Sequence, residues 1–309
     1  MSNLKLYSMI KVRELTKVYN NKVIAIDNVT FDVNNGEIVG FIGLNGAGKT
    51  TTIKIIAGVL LPTRGTVEVD GFDVVKEKVQ ASKRIGWVPE IPNFDPEAKA
   101  IDYLLYIAGF YGLKGDEARK VAKELLVEVG LEGSENKKLK QYSQGMKKRF
   151  ALAASMISNP DNFLFDEVLN GLDAEGIAFF RKKAQELKSN GKAILFSSHI
   201  LSEVEGLADK VVIIHKGRIR RVLSRDEIAS SGKLIVKLVV DNSDGKLIEF
   251  LKNYGEVELQ GKYILIRDVK IDPTEISSQL VKMNYRIREF TYEKESLERL
   301  FFEIIGENR

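Results

Sequence analysis

Residues 43–51 read Gly-Leu-Asn-Gly-Ala-Gly-Lys-Thr-Thr and follow an apolar run, Ile38-Val39-Gly40-Phe41-Ile42. From Gly43 to Thr50 the segment fits the pattern G-x-x-x-x-G-K-[ST], a loop for holding nucleotide phosphates. A strand must deliver such a loop and a helix must leave it, and the run from Thr51 to Ala57 reads as that helix. Gly43, Gly46 and Gly48 allow tight folding, so that successive N–H groups from Gly43 through Asn45, Ala47 and Thr51 aim at an anion. The helix N-terminus faces the same anion with its positive dipole end. Lys49 is placed to reach the terminal phosphates, and the Thr50 hydroxyl to ligate Mg²⁺.

Length and composition set the outer limits. A chain of 309 residues suggests about two domains, and 44% hydrophobic residues are enough for a substantial core. There are no cysteines, which excludes disulfides, thiolate metal sites and thiol nucleophiles and fits a reducing cytosol. The net charge of +4 is spread along the chain. No specific nucleic acid is expected from it, and it is compatible with an anionic membrane surface. The longest apolar stretches, 104–113 and 150–157, fall far short of the roughly 20 residues that span a bilayer. Residues 1–9 carry no sustained apolar core of a signal peptide, and Met9 offers an alternative start.

Along the chain, residues 10–42 read as short strands with turn signals at Asn20-Asn21 and Asn34-Asn35-Gly36. Beyond Pro62 a strand pair is expected around 65–69, and residues 97–130 are largely helical. Ser143 precedes a further helix that ends at Asn159-Pro160. Strands are expected at 162–166, 193–197 and 211–215, with a helix over about 174–189 closed by Gly191. This alternation implies a mostly parallel sheet covered by helices. Ser230-Ser231-Gly232 reads as a linker. The tail then reads strand 234–240, helix 246–253, a hairpin at Gly261-Lys262, helix 274–283, strand 286–292 and helix 296–305. That order suggests a small α+β domain, ferredoxin-like in arrangement. The expected division is 1–230, with a helical subdomain over about 91–160, and 231–309.

Two further segments narrow the chemistry. Asn162 to Phe165 form an apolar strand ending in Asp166 and Glu167. Asp166 is the candidate to hold Mg²⁺ opposite Thr50, and Glu167 to polarise a water attacking the γ-phosphate. A strand end that merely emerges into solvent would also carry acids. Tyr142-Ser143-Gln144-Gly145-Met146 leads into Lys147-Lys148-Arg149. Ser143 reads as a helix cap, Gly145 as a place for a ligand to approach the backbone, and the basic first turn as built to meet an anion.

Taken in order, these segments resemble the ATP-binding subunit of an ABC transporter over about residues 10–225. The 142–146 segment is similar to the family signature Leu-Ser-Gly-Gly-Gln, with Tyr142, Gln144 and Met146 departing from it. The resemblance implies an α/β fold of the P-loop NTPase class with a helical subdomain. It implies ATP and Mg²⁺ as cofactors. Tyr19 matches the aromatic that stacks on adenine, with a core aromatic as the rival reading. Gly171-Leu172-Asp173 match the loop that communicates across a dimer, and Asp173 as a helix cap is compatible with that. His199 matches the switch histidine on the γ-phosphate. Glu90, in Trp87-Val88-Pro89-Glu90, stands where the family usually has a metal-touching glutamine. Asp102 to Leu113 and Ser296 to Phe301 resemble ABC-2-type exporters.

The implied function is an ATPase that powers a separate membrane-spanning permease at the cytoplasmic face of the membrane. Two nucleotide domains, from identical or related chains, would meet head to tail. Ser143 and Gly145 of one would reach the γ-phosphate held by the other. Lys49, Glu167 and His199 would be the catalytic groups. The rival is a soluble ABC-type ATPase in a non-transport assembly or regulatory role.

Overall fold

The computed structural model describes residues 8–20, 22–199, 201–231, 234–294 and 297–306. Asn21, Gly232, Ser296 and residues 1–7, which figure in the readings above, lie outside them. The chain forms two compact units, 1–225 and 226–309.

The first unit opens with two long strands, β1 (Ser8–Tyr19) and β2 (Val23–Asn34), followed by β3 (Ile38–Ile42). Helix α1 (Lys49–Ile56) starts inside the phosphate-loop pattern, two residues earlier than its sequence suggests, because Gly48 caps it directly. Next come β4 (Arg64–Val69), β5 (Phe72–Asp73), a short α2 (Lys78–Ser82) and β6 (Ile85–Val88). The helical part holds α3 (Ala100–Phe110), α4 (Gly115–Glu128) and α5 (Gln144–Met156). The remainder is β7 (Asn162–Asp166), α6 (Ala174–Ser189), β8 (Ala193–Ser198), α7 (Leu201–Glu205), β9 (Lys210–His215) and β10 (Arg218–Ser224).

Six strands form one sheet in the order β10-β9-β3-β8-β7-β6. All its pairings are parallel except β10 with β9. Strands β3, β7 and β8 read as continuous apolar runs because they are buried on both faces, as a helix-covered parallel sheet requires. A second, antiparallel sheet has the order β2-β1-β4-β5. Strand β2 alternates buried and exposed positions along its second half, the mark of a sheet with one wet face. Residues Ile10, Val12, Phe31, Phe41 and Ile53 join the two sheets and α1 in one core. In the helical part, Phe94, Tyr103 and Tyr142 ring Phe150 edge-on at 4.9–6.1 Å, so aromatic packing holds α3 to α5.

The parallel order gathers the C-terminal ends of β3, β6, β7 and β8 along one edge. The phosphate loop, the segment to Glu90, Asp166-Glu167 and Ser198-His199 leave from those ends. Crevices at the carboxyl ends of parallel strands are where such sheets bind ligands.

Helix α8 (Arg225–Ser231) runs through Ser230 and Ser231, where the sequence suggests a linker. Arg225-Asp226-Glu227 explains the difference: acids in a first turn favour a helix start, and two serines do not stop it.

The second unit continues with β11 (Leu234–Val240), α9 (Gly245–Leu251), β12 (Glu256–Gln260), β13 (Tyr263–Arg267), α10 (Pro273–Lys282), β14 (Ile287–Lys294) and α11 (Leu297–Ile305). Its sheet is antiparallel, in the order β12-β13-β11-β14. One face, carrying Val236, Leu238, Ile264 and Ile266, packs with Leu247, Leu251, Ile276 and Leu280 from α9 and α10. Asp244 and Asp272 cap those helices through Leu247 and Thr274 N–H groups at 2.8 Å.

Candidate active site

The phosphate loop is shaped by what glycine alone permits. Gly48 has φ +110°, and a Cβ there would come within 2.5 Å of the Ile26 side chain. At Gly43 a Cβ would press into the Ile214 carbonyl at 2.4 Å. The loop therefore lies close on β2 and β9, where a side chain at either position would not fit.

Beside the loop is a pocket of about 350 Å³. Asn45, Gly46, Gly48, Lys49, Thr50 and Thr51 line it, together with Glu90, Glu167 and His199. Four separate stretches of sequence are thus brought to one place. Ala25 and Asn170 also line the pocket; neither was given a site role from the sequence. Gly43 and Ala47, in the same loop, are buried and do not line the pocket. Tyr19, Ser143 and Gly145 are not among the lining residues. Tyr19 is partly exposed at the end of β1, with Lys17 Nζ 5.2 Å from its ring centre.

Lys49 Nζ donates to the Gly43 carbonyl at 2.7 Å and forms an ion pair with Glu167 Oε1 at 3.1 Å. His199 Nδ1 lies 2.8 Å from the other oxygen, Oε2. Glu167 is thus held at both carboxylate oxygens. Its backbone has φ +49°, a left-handed conformation that is uncommon outside glycine. Its N–H donates to Ser197 Oγ at 3.0 Å.

Asp166 sits deeper. Thr50 Oγ1 donates to Asp166 Oδ1 at 3.2 Å, and Ser197 Oγ donates to the same oxygen at 2.9 Å. Burial pushes the Asp166 carboxyl up from the usual carboxylate range, the two hydroxyls oppose that, and nearby Glu167 and Glu90 add to it. Ser197 therefore serves both acids at once. Its place follows from sheet register, since Asp166 and Ser197 are partners across β7 and β8. Glu90 accepts a long hydrogen bond from the Asn170 amide at 3.4 Å.

Two candidate residues also act as caps. Ser143 Oγ accepts from the Met146 N–H at 3.2 Å and starts α5. Asp173 Oδ1 accepts from the Gly176 N–H at 2.8 Å and starts α6.

The basic triplet after the 142–146 segment departs from expectation. Lys148 does not meet an anion: its side chain is buried, and its ammonium donates to the carbonyls of Val168 and Asn170. Arg149 pairs with Glu175 at 3.1 Å and stacks on Phe179. The signal was helical phase. Lys148 lies three and four residues before Ala151 and Leu152, both buried, so it shares their inward face.

Oxygen donors dominate the pocket, with the buried ammonium of Lys49 and the imidazole of His199 among them. Among the described residues there is no cluster of three or more His, Asp or Glu that could hold a metal by themselves. No helix among them is long and apolar enough to cross a membrane.

Comparison with known proteins agrees with this fold. A family model described as ABC transporter matches residues 26–170. The ABC transporter ATP-binding protein NatA of Bacillus subtilis (strain 168) is 38% identical over 216 residues, which are 68% of this chain and 87% of NatA. The bacitracin transport ATP-binding protein BcrA of Bacillus licheniformis is 31% identical over 97% of this chain and 98% of its own length. Among solved structures, a dimeric ATP-binding cassette in a post-hydrolysis state with ADP and Pi matches with a TM-score of 0.65. Its identity is 26%, over 70% of this chain and 99% of that one.

Proposed function

The chain belongs to the ATP-binding proteins of ABC transporters, and on that premise we propose that it hydrolyses ATP at the pocket between Asn45 and His199 to power a separate membrane-spanning exporter. The observation that carries the reading is the convergence of Lys49, Thr50, Glu167 and His199 on one cavity. The end-to-end likeness to a bacitracin transport ATP-binding protein supports the transport role. Export as the direction rests on the likeness of residues 102–113 to ABC-2-type exporters.

In this reading the loop N–H groups and Lys49 bind the β- and γ-phosphates of ATP. Tyr19 offers its exposed ring to the adenine. Glu167 takes the proton of the attacking water, and His199, bonded to Glu167 in the structure, orients the carboxylate and faces the γ-phosphate. Thr50 Oγ1 and Asp166 are hard oxygen donors in contact with one another, a set that suits Mg²⁺, and Glu90 lines the same pocket. Mg²⁺ supplies charge neutralisation on the phosphates when bound.

Ser143 and Gly145 stand outside the pocket of their own chain, which fits a role towards the nucleotide of a second one. The dimeric cassette bound to ADP and Pi supports such pairing. The partner ATPase is an identical or a related chain, and the complex sits at the cytoplasmic face of the membrane through its permease.

The test is isolation of the chain from detergent-solubilised membranes of its native host, with ATPase activity measured with and without the accompanying protein. A multi-spanning membrane protein that co-purifies and alters turnover is expected. Active ATPase with no membrane protein attached would overturn the transport role.

A further inference from the structure

Lys148 is a buried cation to which the reaction gives no task. Its side chain is 1% exposed, and among the described residues no carboxylate forms an ion pair with it. Its ammonium donates instead to the Val168 carbonyl at 2.8 Å and the Asn170 carbonyl at 2.5 Å, with the Glu167 carbonyl at the limit, 3.5 Å. Burying a charge without an opposite charge is costly, and three N–H donors facing three carbonyls are what makes it tolerable here. Burial accordingly lowers the affinity of the ammonium for its proton, opposed by Glu90 and Glu167 nearby.

The carbonyls belong to the loop that leaves Glu167. The same loop touches α5 at a second place: a Cβ on Gly171 would lie 3.6 Å from the Gln144 amide, and one on Gly145 would lie 3.7 Å from Leu172. Gln144, Gly145 and Lys148 fall on one face of α5 by helical spacing. Glu167 is in a left-handed conformation that costs energy unless its surroundings fix it, and the bonds from Lys148 are among those that do.

We propose that Lys148 is a positioning residue: by binding the carbonyls that follow Glu167 it sets where the Glu167 carboxylate stands, and it ties that placement to α5, the helix that begins at Ser143. The inference rests on Glu167 being the base. It adds that turnover depends on a side chain which touches neither nucleotide nor water.

The experiment is a double-mutant cycle in the full-length chain, with ATP affinity, single-turnover rate, KM and thermal midpoint measured for each protein. Glu167→Gln alone tests the underlying reading, and normal turnover there overturns both. With that variant slow, Lys148→Met is expected to lower kcat about 10–100-fold, the scale of a misplaced catalytic group, and to change KM less than about threefold. Lys148→Arg, which keeps charge and donors, is expected to recover most of the rate.

In the Glu167→Gln background, Lys148→Met should change the residual rate by less than about twofold, because the group it positions is gone. A merely structural role predicts the same fold-loss in both backgrounds, and that result overturns the proposal. So does a Lys148→Met protein with kcat within about twofold of the parent. If Lys148→Met does not fold, Lys148→Gln, a neutral donor of similar length, takes its place in the cycle with the same outcomes deciding.

Discussion

Lys49 Nζ and Glu167 Oε1 stand 3.1 Å apart, with both side chains almost wholly removed from solvent. A buried pair of this kind is expensive to make and more expensive to break. Truncating Lys49 leaves a buried carboxylate with His199 as its side-chain partner among the described residues.

We therefore expect Lys49→Ala to lose ATP binding and also to unfold more easily, by about 3–5 kcal/mol. Adding Glu167→Gln to it should return most of that loss. Denaturant or thermal unfolding of the three proteins checks this, and an unchanged stability in Lys49→Ala would contradict the buried pair.

Glu167→Gln keeps the shape of the side chain and removes its basicity. Turnover is expected to fall about 10²–10⁴-fold while ATP still binds, so that ATP with Mg²⁺ holds the protein as a dimer. Size-exclusion chromatography with and without ATP reads this, and a variant that stays monomeric while binding ATP would count against the head-to-tail dimer.

Ser197 holds Asp166 and the Glu167 N–H with one hydroxyl. Ser197→Ala frees the Asp166 oxygen from one of its two donors. The Mg²⁺ concentration needed for half-maximal ATPase activity should rise about 10-fold or more, the usual effect of losing an outer-shell partner of a metal ligand. An unaltered Mg²⁺ titration would remove Asp166 from the metal.

Tyr142 departs from the family signature, and its phenol donates to the Ser134 carbonyl at 2.9 Å inside the helical part. Burial pushes that phenol up to about 12 from its ordinary value of 10.0. A raised phenol contributes stability that is whole below the unfolded value and is lost as pH rises through the folded one. The protein should thus lose stability between pH 10 and about 12, and Tyr142→Phe should lack that loss. At neutral pH the same variant should be less stable by about 1 kcal/mol. Unfolding midpoints across the alkaline range distinguish the two proteins.

Contiguous chemistry was legible in the sequence. The loop from Gly43 to Thr51, the Asp166-Glu167 pair and His199 each carry their meaning within a few residues, and the pocket contains Lys49, Thr50, Glu167 and His199 together. The parallel sheet was legible too, from apolar runs alternating with helical ones. What lay hidden depends on register. Ser197 matters because β8 pairs with β7 one residue for one residue at Asp166, and no local pattern around Ser197 announces it. Ala25 reaches the pocket because β2 passes beneath the loop. Lys148 was read as part of a basic first turn built to meet an anion because charge dominates its neighbourhood, while its helical phase already turned it inward.

The left-handed backbone at Glu167 bears on how such a chain can drift. Glycine and asparagine would relieve the backbone there, and neither takes a proton from water at neutral pH. Aspartate tolerates the conformation but is one methylene shorter, and would draw the carboxylate back from Lys49 and His199. The backbone thus favours another residue at position 167, while the buried pair with Lys49 and the contact with His199 favour glutamate. A residue without a carboxylate there would leave Lys49 buried without its partner, so a single substitution both relieves the backbone and breaks the pair.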